Sequence, residues 1–216
     1  MDAQERYPAL VEFYFMRHPQ SEDNARRKAN GHNDSRITEE GERQTDLAST
    51  FLEGVRPGLS EIHHSRMSRT FEAAVRLNEG MDLDLVENQA FDEQTLGDWE
   101  GVDWDEAVDL FESGEDPPGG EPYEAFHARI QSGLRELTGR REEEGALPLV
   151  ISHGGVWMAI HKICGTHAEE WPENCDIYKV RITGTWDAPR IESEPVFRLP
   201  SAPENSGDAP SAFPLS

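Results

Sequence analysis

Short apolar runs, separated by stretches of helical periodicity, set the organisation of this chain. Residues 11–16, 59–64 and 147–152 are apolar segments of strand length, and 177–182 alternates Ile177, Lys179 and Arg181 with Tyr178, Val180 and Ile182. Between them the period becomes that of a helix. Residues 38–51 begin at Thr38, a capping residue type, and place Leu47, Ala48 and Phe51 on one expected apolar face. Residues 68–78 repeat the pattern with Phe71, Ala74 and Val75, and stop at Gly80. Residues 122–141 carry Phe126, Ile130, Leu134 and Leu137 at helical spacing, and 155–163 present Val156, Ala159, Ile160 and Ile163.

Strands alternating with helices predict an α/β fold, three-layer α/β/α with a mostly parallel central sheet. The 216 residues suit one domain. It is expected over 1–198, with a small inserted helical or loop region at about 100–122 that contains the GEDPPGG loop at 114–120. The acidic, Pro/Ser-rich tail at 199–216 has the composition of a disordered segment.

Charge narrows the range of partners. The formal net charge is −23, spread along the chain, and lysine occurs only at Lys28, Lys162 and Lys179. No basic stripe exists for nucleic acid. A surface this anionic suits a salt-rich, halophilic cytoplasm; the other reading, a basic partner, lacks a block of like charge to dock on. Cys164 and Cys175 are the only cysteines, so neither a disulfide framework nor a zinc set is implied. The first residues lack the basic and apolar regions of a signal peptide, and no apolar stretch reaches membrane-spanning length. A cytoplasmic protein, without cofactor or metal and either monomer or homodimer, is the expectation.

Candidate chemistry sits at the strand ends, where open α/β sheets bind ligands. The first strand runs into Arg17-His18, the second into Ser65-Arg66-Met67-Ser68-Arg69, and the third into His153-Gly154-Gly155. Any one of these has a bland reading: a hydrogen-bonded histidine, a turn glycine, a solvated helix arginine. Brought to one crevice by parallel neighbours, they would suit a dianionic phosphoryl group. Arginine forks hold phosphate oxygens through two donors. A neutral imidazole can attack phosphorus and split one hard step into two, and amides at a helix start favour an anion.

These residues resemble a known pattern. Arg17-His18-Pro19-Gln20-Ser21-Glu22-Asp23-Asn24 is similar to the Arg-His-Gly-x-x-x-x-Asn signature of the histidine phosphatase superfamily, the phosphoglycerate mutase-like branch. Gly31, Asp34, Thr38 and Gly41 follow the family's next rhythm, and Ser65 and Arg69 its Ser-x-x-x-Arg element. The run Glu93 to Gly101 resembles its acidic motif, Gly119-Gly120-Glu121-Pro122-Tyr123 its Gly-Gly-Glu element, and Ser152-His153-Gly154-Gly155 its second histidine motif. Asn174 falls where relatives carry an asparagine before a late strand. The likeness runs over roughly residues 11–182, in order.

The resemblance implies a phosphomonoesterase acting on a small phosphate ester through a phosphohistidine. His18 would be the nucleophile and Glu93 the general acid and base. His153 would be the second catalytic histidine, and Arg17, Arg69, Asn24, Gly154 and Lys28 substrate contacts. The alternative is a 2,3-bisphosphoglycerate-dependent phosphoglycerate mutase. Mutases of this family usually carry a longer insertion than residues 102–118, which favours the phosphatase. Two departures stand out. Pro19 replaces a usual glycine and removes an N–H, and Lys28 replaces an arginine fork with a point charge. Lys28, with Arg26, Arg27 and His32, forms a basic patch that is either a substrate contact or a solvated loop.

Overall fold

The computed structural model describes residues 11–55, 58–138 and 146–200. Six strands form one sheet: β1 (Val11–Arg17), β2 (Leu59–His64), β3 (Asp84–Glu87), β4 (Leu147–Ser152), β5 (Ile177–Thr185) and β6 (Ala188–Phe197). Their order is β3-β2-β4-β1-β5-β6. The first four in that order are parallel, whereas β5 and β6 run antiparallel to their neighbours.

Six α-helices complete the described fold: α1 (Glu22–Ala25), α2 (Glu39–Val55), α3 (Ser68–Leu77), α4 (Trp104–Glu112), α5 (Tyr123–Thr138) and α6 (Gly154–Ile163). Strand side chains alternate between two buried layers. Val11, Phe13 and Phe15 of β1 and Val150 of β4 meet Phe126, Ile130 and Leu134 of α5 and Val156 and Ile160 of α6. Met16, Leu149 and Ile151 face the other way, onto Ala48 and Leu52 of α2 and Ala73, Ala74 and Leu77 of α3. Helices therefore cover both faces of a mostly parallel sheet, the expected α/β/α class. A smaller cluster of Ala29, Leu96, Trp99 and Ala107 lies in the 97–112 region, where α4 stands.

The expected faces of α2 and α3 are met in part: Ala48 and Ala74 are buried and Phe51 packs on the core, but Leu47, Phe71 and Val75 do not. On α2 the buried residues are Gly41, Thr45, Ala48 and Leu52, while Leu47 is 47% exposed. On α3 they are Arg69, Thr70, Ala73, Ala74 and Leu77, while Phe71 and Val75 lie outside at 48% and 42%. Arg69 and Phe71 are two residues apart, about 200° around a helix, so both cannot face inward. Arg69 takes the inside because the end of β2 delivers it to the crevice; Phe71 instead rests its ring against His64, 5.3 Å away.

Strands β3 and β6 give no apolar run. Both are edges, and β6 is largely exposed and holds Pro189 and Pro195, residues tolerated only where a ladder ends. Of the expected helix at 122–141, residues 139–141 lie outside the described part of the chain, as do 201–216 of the expected tail.

Candidate active site

Register places the two histidines side by side. Arg17 of β1 pairs with Ser152 of β4, so the next residues, His18 and His153, leave the sheet together. His64 of β2 pairs with Ile151 of β4, which brings Ser65 to the same edge. The His18 and His153 rings lie 5.2 Å apart, tilted by 57°. Both side chains are buried.

His18 is fixed on three sides. Its backbone N–H donates to Ser152 O at 2.9 Å, and its own carbonyl accepts from Asn174 Nδ2 at 2.9 Å. Nδ1 lies 2.7 Å from Pro19 O, a bond that puts the ring proton on Nδ1 and leaves Nε2 with its lone pair. Pro19 thus supplies the carbonyl that sets the tautomer, and as a proline it brings no N–H. Burial first, then the Arg69 and Arg17 charges, hold His18 well below the usual histidine range, so it is neutral.

His153 caps α6 and places Nε2 at 2.7 Å from Ser65 Oγ. Ser65 Oγ also lies 2.8 Å from Thr70 Oγ1 and accepts from Met67 N–H at 3.3 Å. His153 Nδ1 is buried with no hydrogen-bond partner among the described residues. Burial, Arg69 and His18 push its pKa well down as well.

Two guanidiniums flank the histidines. Arg69 donates from Nη1 to Asn33 O at 3.1 Å and from Nη2 to Gly31 O at 2.9 Å. Arg17 donates from Nη1 to Pro172 O at 2.7 Å, with its guanidinium 5.8 Å from the Trp171 ring centre. The Nε atoms of both arginines are buried without a partner among the described residues. Such orphaned donors cost stability unless an anion meets them. Burial lowers the Arg69 pKa to about 10, still fully charged at neutral pH.

Glu93 closes the site from the other side. Its carboxylate accepts from Gly155 N–H at 3.1 Å and from Gln94 N–H at 3.0 Å. Burial raises its pKa despite these bonds and despite Arg69 and Arg17. Both glycines after His153 permit close approach. A Cβ on Gly155 would sit 2.3 Å from Glu93 Oε1, and one on Gly154 would sit 2.0 Å from Trp171 Cζ2. A cavity of about 470 Å³ opens beside Glu93 and Gly155.

The structure gathers Arg17, His18, Arg69, Glu93 and His153 as expected from sequence, and it places other candidates at a remove. Asn24 works within α1, where its Oδ1 accepts from Ser21 N–H at 3.2 Å and lies 3.4 Å from Asn174 Nδ2. Lys28 Nζ pairs with Asp103 at 2.8 Å and Arg27 with Asp105 at 2.7 Å, so the basic patch ties the 27–29 segment to the start of α4. Arg66 binds the buried Asp92 at 2.6 Å.

Among the supporting residues, Arg129, Trp171 and Pro172 carry no sequence signal of their own, and His32 belongs by sequence to the basic patch. Arg129 donates to the carbonyls of Gln89, Ala90, Asp92 and Glu93 and pairs with Glu121 at 2.7 Å, which holds the turn that presents Glu93. His32 Nε2 lies 2.8 Å from Glu93 O. Trp171 and Pro172 position Arg17 from a loop without periodicity. No group of three or more His, Cys, Asp or Glu side chains that could hold a metal occurs among the described residues.

Two arginines, two histidines and a carboxylate converge where β1, β2 and β4 of a mostly parallel α/β sheet end. Residues 13–190 match the family model of the histidine phosphatase superfamily, branch 1, and the chain belongs to that superfamily. It is 30% identical over 148 residues to the bifunctional protein Rv2228c of Mycobacterium tuberculosis, covering 64% of this chain and 40% of that protein. The chain thus spans about two fifths of that relative's length. It is 25% identical over 188 residues to the probable phosphoglycerate mutase GpmB of Escherichia coli, covering 79% and 85%. The fold is also that of the mycobacterial glucosyl-3-phosphoglycerate phosphatase Rv2419c solved with VO3. That structure matches with a TM-score of 0.72 at 22% identity, covering 85% of this chain and 97% of that one. No helix among the described residues is long and apolar enough to cross a membrane.

Proposed function

We propose that the chain is a phosphomonoesterase that hydrolyses small phosphate esters through a phosphohistidine on His18. The observation that carries this is a neutral, buried His18 between two guanidiniums whose Nε donors are unmet. A phosphoryl dianion satisfies both orphaned donors at once. His153 Nδ1, buried and without a partner among the described residues, provides a further donor to the phosphoryl oxygens when Ser65 Oγ donates to Nε2.

The chemistry follows from these positions. Nε2 of His18 attacks phosphorus and the bond to the leaving oxygen breaks, while Glu93 gives its proton to that oxygen. Its raised pKa keeps a fraction of the carboxyl protonated near neutral pH for this task. Glu93, now a carboxylate, takes a proton from water as that water attacks phosphorus. The P–N bond breaks, and phosphate leaves with His18 neutral again. The arginines stabilise the equatorial charge throughout.

A phosphoglycerate mutase would need a cation for the substrate carboxylate beside Glu93. The nearby Lys28, Arg27 and Arg129 are committed to Asp103, Asp105 and Glu121, and Lys162, which lines the same cavity, stands about two helical turns along α6 from Gly155. This favours hydrolysis over transfer. Replacing His18 with alanine should abolish phosphate release from an aryl phosphate, and acid-quenched native enzyme should carry labelled phosphate on His18. Unchanged turnover in the variant would sink the mechanism. Interconversion of phosphoglycerates after priming with 2,3-bisphosphoglycerate, without phosphate release, would instead establish the mutase.

A further inference from the structure

The cavity beside Glu93 says what kind of alcohol the phosphoryl group leaves. Its volume, about 470 Å³, is within the range of small-molecule sites. The Glu93 carboxylate and Gly155 line it together with the apolar side chains of Leu96, Trp104, Phe111, Phe126, Met158 and Trp171. Trp104 anchors the aromatic side, 5.9 Å from Trp171 and 6.4 Å from Phe111 between ring centres, and Trp99 braces Phe111 from behind at 6.3 Å.

The opposite wall is a stripe of α6. Gly155, Met158, Ala159 and Lys162 all line the cavity, a spacing of three, four and seven residues that shares one helix face. At about 1.5 Å per residue, the run from Gly155 to Lys162 is roughly 10 Å long. An alcohol leaving Glu93 along this stripe meets the Met158 thioether and the Ala159 methyl before it reaches Lys162. A polyol or carboxylate placed along the apolar walls would lose its water there and find partners only at Gln94, Tyr123, His127, Thr166, His167 and Lys162, whereas an alkyl chain keeps contact along the stripe.

We propose that the substrate is a phosphate monoester of an elongated apolar alcohol, seated between the Trp104–Phe111 wall and the Met158–Ala159 stripe. This rests on the phosphomonoesterase reading above. The test uses the full chain and a series of primary alkyl phosphates from ethyl to octyl, whose leaving groups are chemically alike, so that a slope reads contact alone. Burial of each methylene should raise kcat/KM about threefold until the stripe is filled. Hexyl phosphate should exceed glycerol 3-phosphate and 3-phosphoglycerate by about a hundredfold.

A flat series, or polyol and carboxylate esters ahead of hexyl phosphate, would overturn the proposal while leaving the hydrolase intact. Failure of every ester to release phosphate, with no label trapped on His18, would take down both. As a second arm, Phe111→Ser should lower the hexyl-to-ethyl ratio of kcat/KM about tenfold. A folded variant with an unmoved ratio means that the alcohol lies elsewhere, and the proposal is wrong.

Discussion

At the scale of single residues, the site depends on atoms that approach more closely than side chains normally allow. Gly155 lets Glu93 lie against the start of α6, where an added Cβ would come within 2.3 Å of Oε1. Alanine is otherwise the better helix residue, by about 1 kcal/mol. Gly155→Ala should therefore leave the thermal midpoint unchanged or higher while kcat falls about a hundredfold through displacement of the acid. A kcat within twofold of the native value would show that Glu93 is not held there for catalysis. The pH profile tests the same pair of groups. His18, neutral from well below the usual histidine pKa, sets the acid limb of kcat/KM, and Glu93, with its pKa raised, sets the alkaline limb. Activity should peak on the acid side of neutrality, and Glu93→Gln should remove the alkaline limb and lower kcat on alkyl esters by about 10²- to 10⁴-fold.

At the scale of elements, α3 shows why hydrophobic pattern alone placed Ala74 correctly and misplaced Phe71 and Val75. Its sequence offers two apolar stripes, and the one with the larger side chains, Phe71 and Val75, lies outward because Arg69 points in. The consequence is measurable. Val75→Ser, on the exposed stripe, should change stability by no more than about 0.5 kcal/mol. Leu77→Ala, fully buried against the sheet, should cost about 2–5 kcal/mol. Equal costs in urea unfolding would contradict the assigned phase. By contrast, α5 and α6 matched their expected faces, since neither must turn a charged side chain into the core. β3 and β6 escaped notice because edge strands have little apolar surface to bury and so no pattern to read.

For the whole molecule, charge and buried histidines set the conditions of stability. His18, His153 and His161 all have folded pKa values below the usual 6.5, His161 at about 4 through burial. The unfolded chain takes up these protons first, so their contribution is complete above about 6.5 and is lost as pH falls, toward 4 in the case of His161. Asp176, raised to about 6 by burial, has the opposite sign: the folded state holds its proton longer, so its contribution declines as pH rises toward 6. His161→Leu should make the loss of stability between pH 6.5 and 4 shallower; an unchanged slope in denaturant titrations would refute the assignment. The net charge of −23 acts over longer range. Raising salt from 0.1 M to 1 M shortens the screening length from about 10 Å to about 3 Å. The thermal midpoint should therefore rise markedly with salt, and a fall would exclude the halophilic reading of the composition.

The sequence by itself determined the layer order and, at the strand ends, the candidates Arg17, His18, Arg69 and His153; Glu93 was legible only through its motif. Strand-length apolar runs ending in Arg17-His18, Ser65 and His153 can converge only if β1, β2 and β4 are parallel neighbours, and period and motif both point that way. Tertiary structure alone decided the rest. Whether Lys28 meets substrate or Asp103, how far Asn24 stands back, and that Arg129, His32 and Trp171 hold the site in place are matters of long-range contact between loops. Such contacts have no periodicity, because a polar bond across 36 to 155 residues leaves no trace in local spacing. The apolar character of the leaving-group cavity belongs to the same class: its walls come from the 94–97 turn, α4, α5, α6 and the 166–171 loop, and only packing makes them one surface.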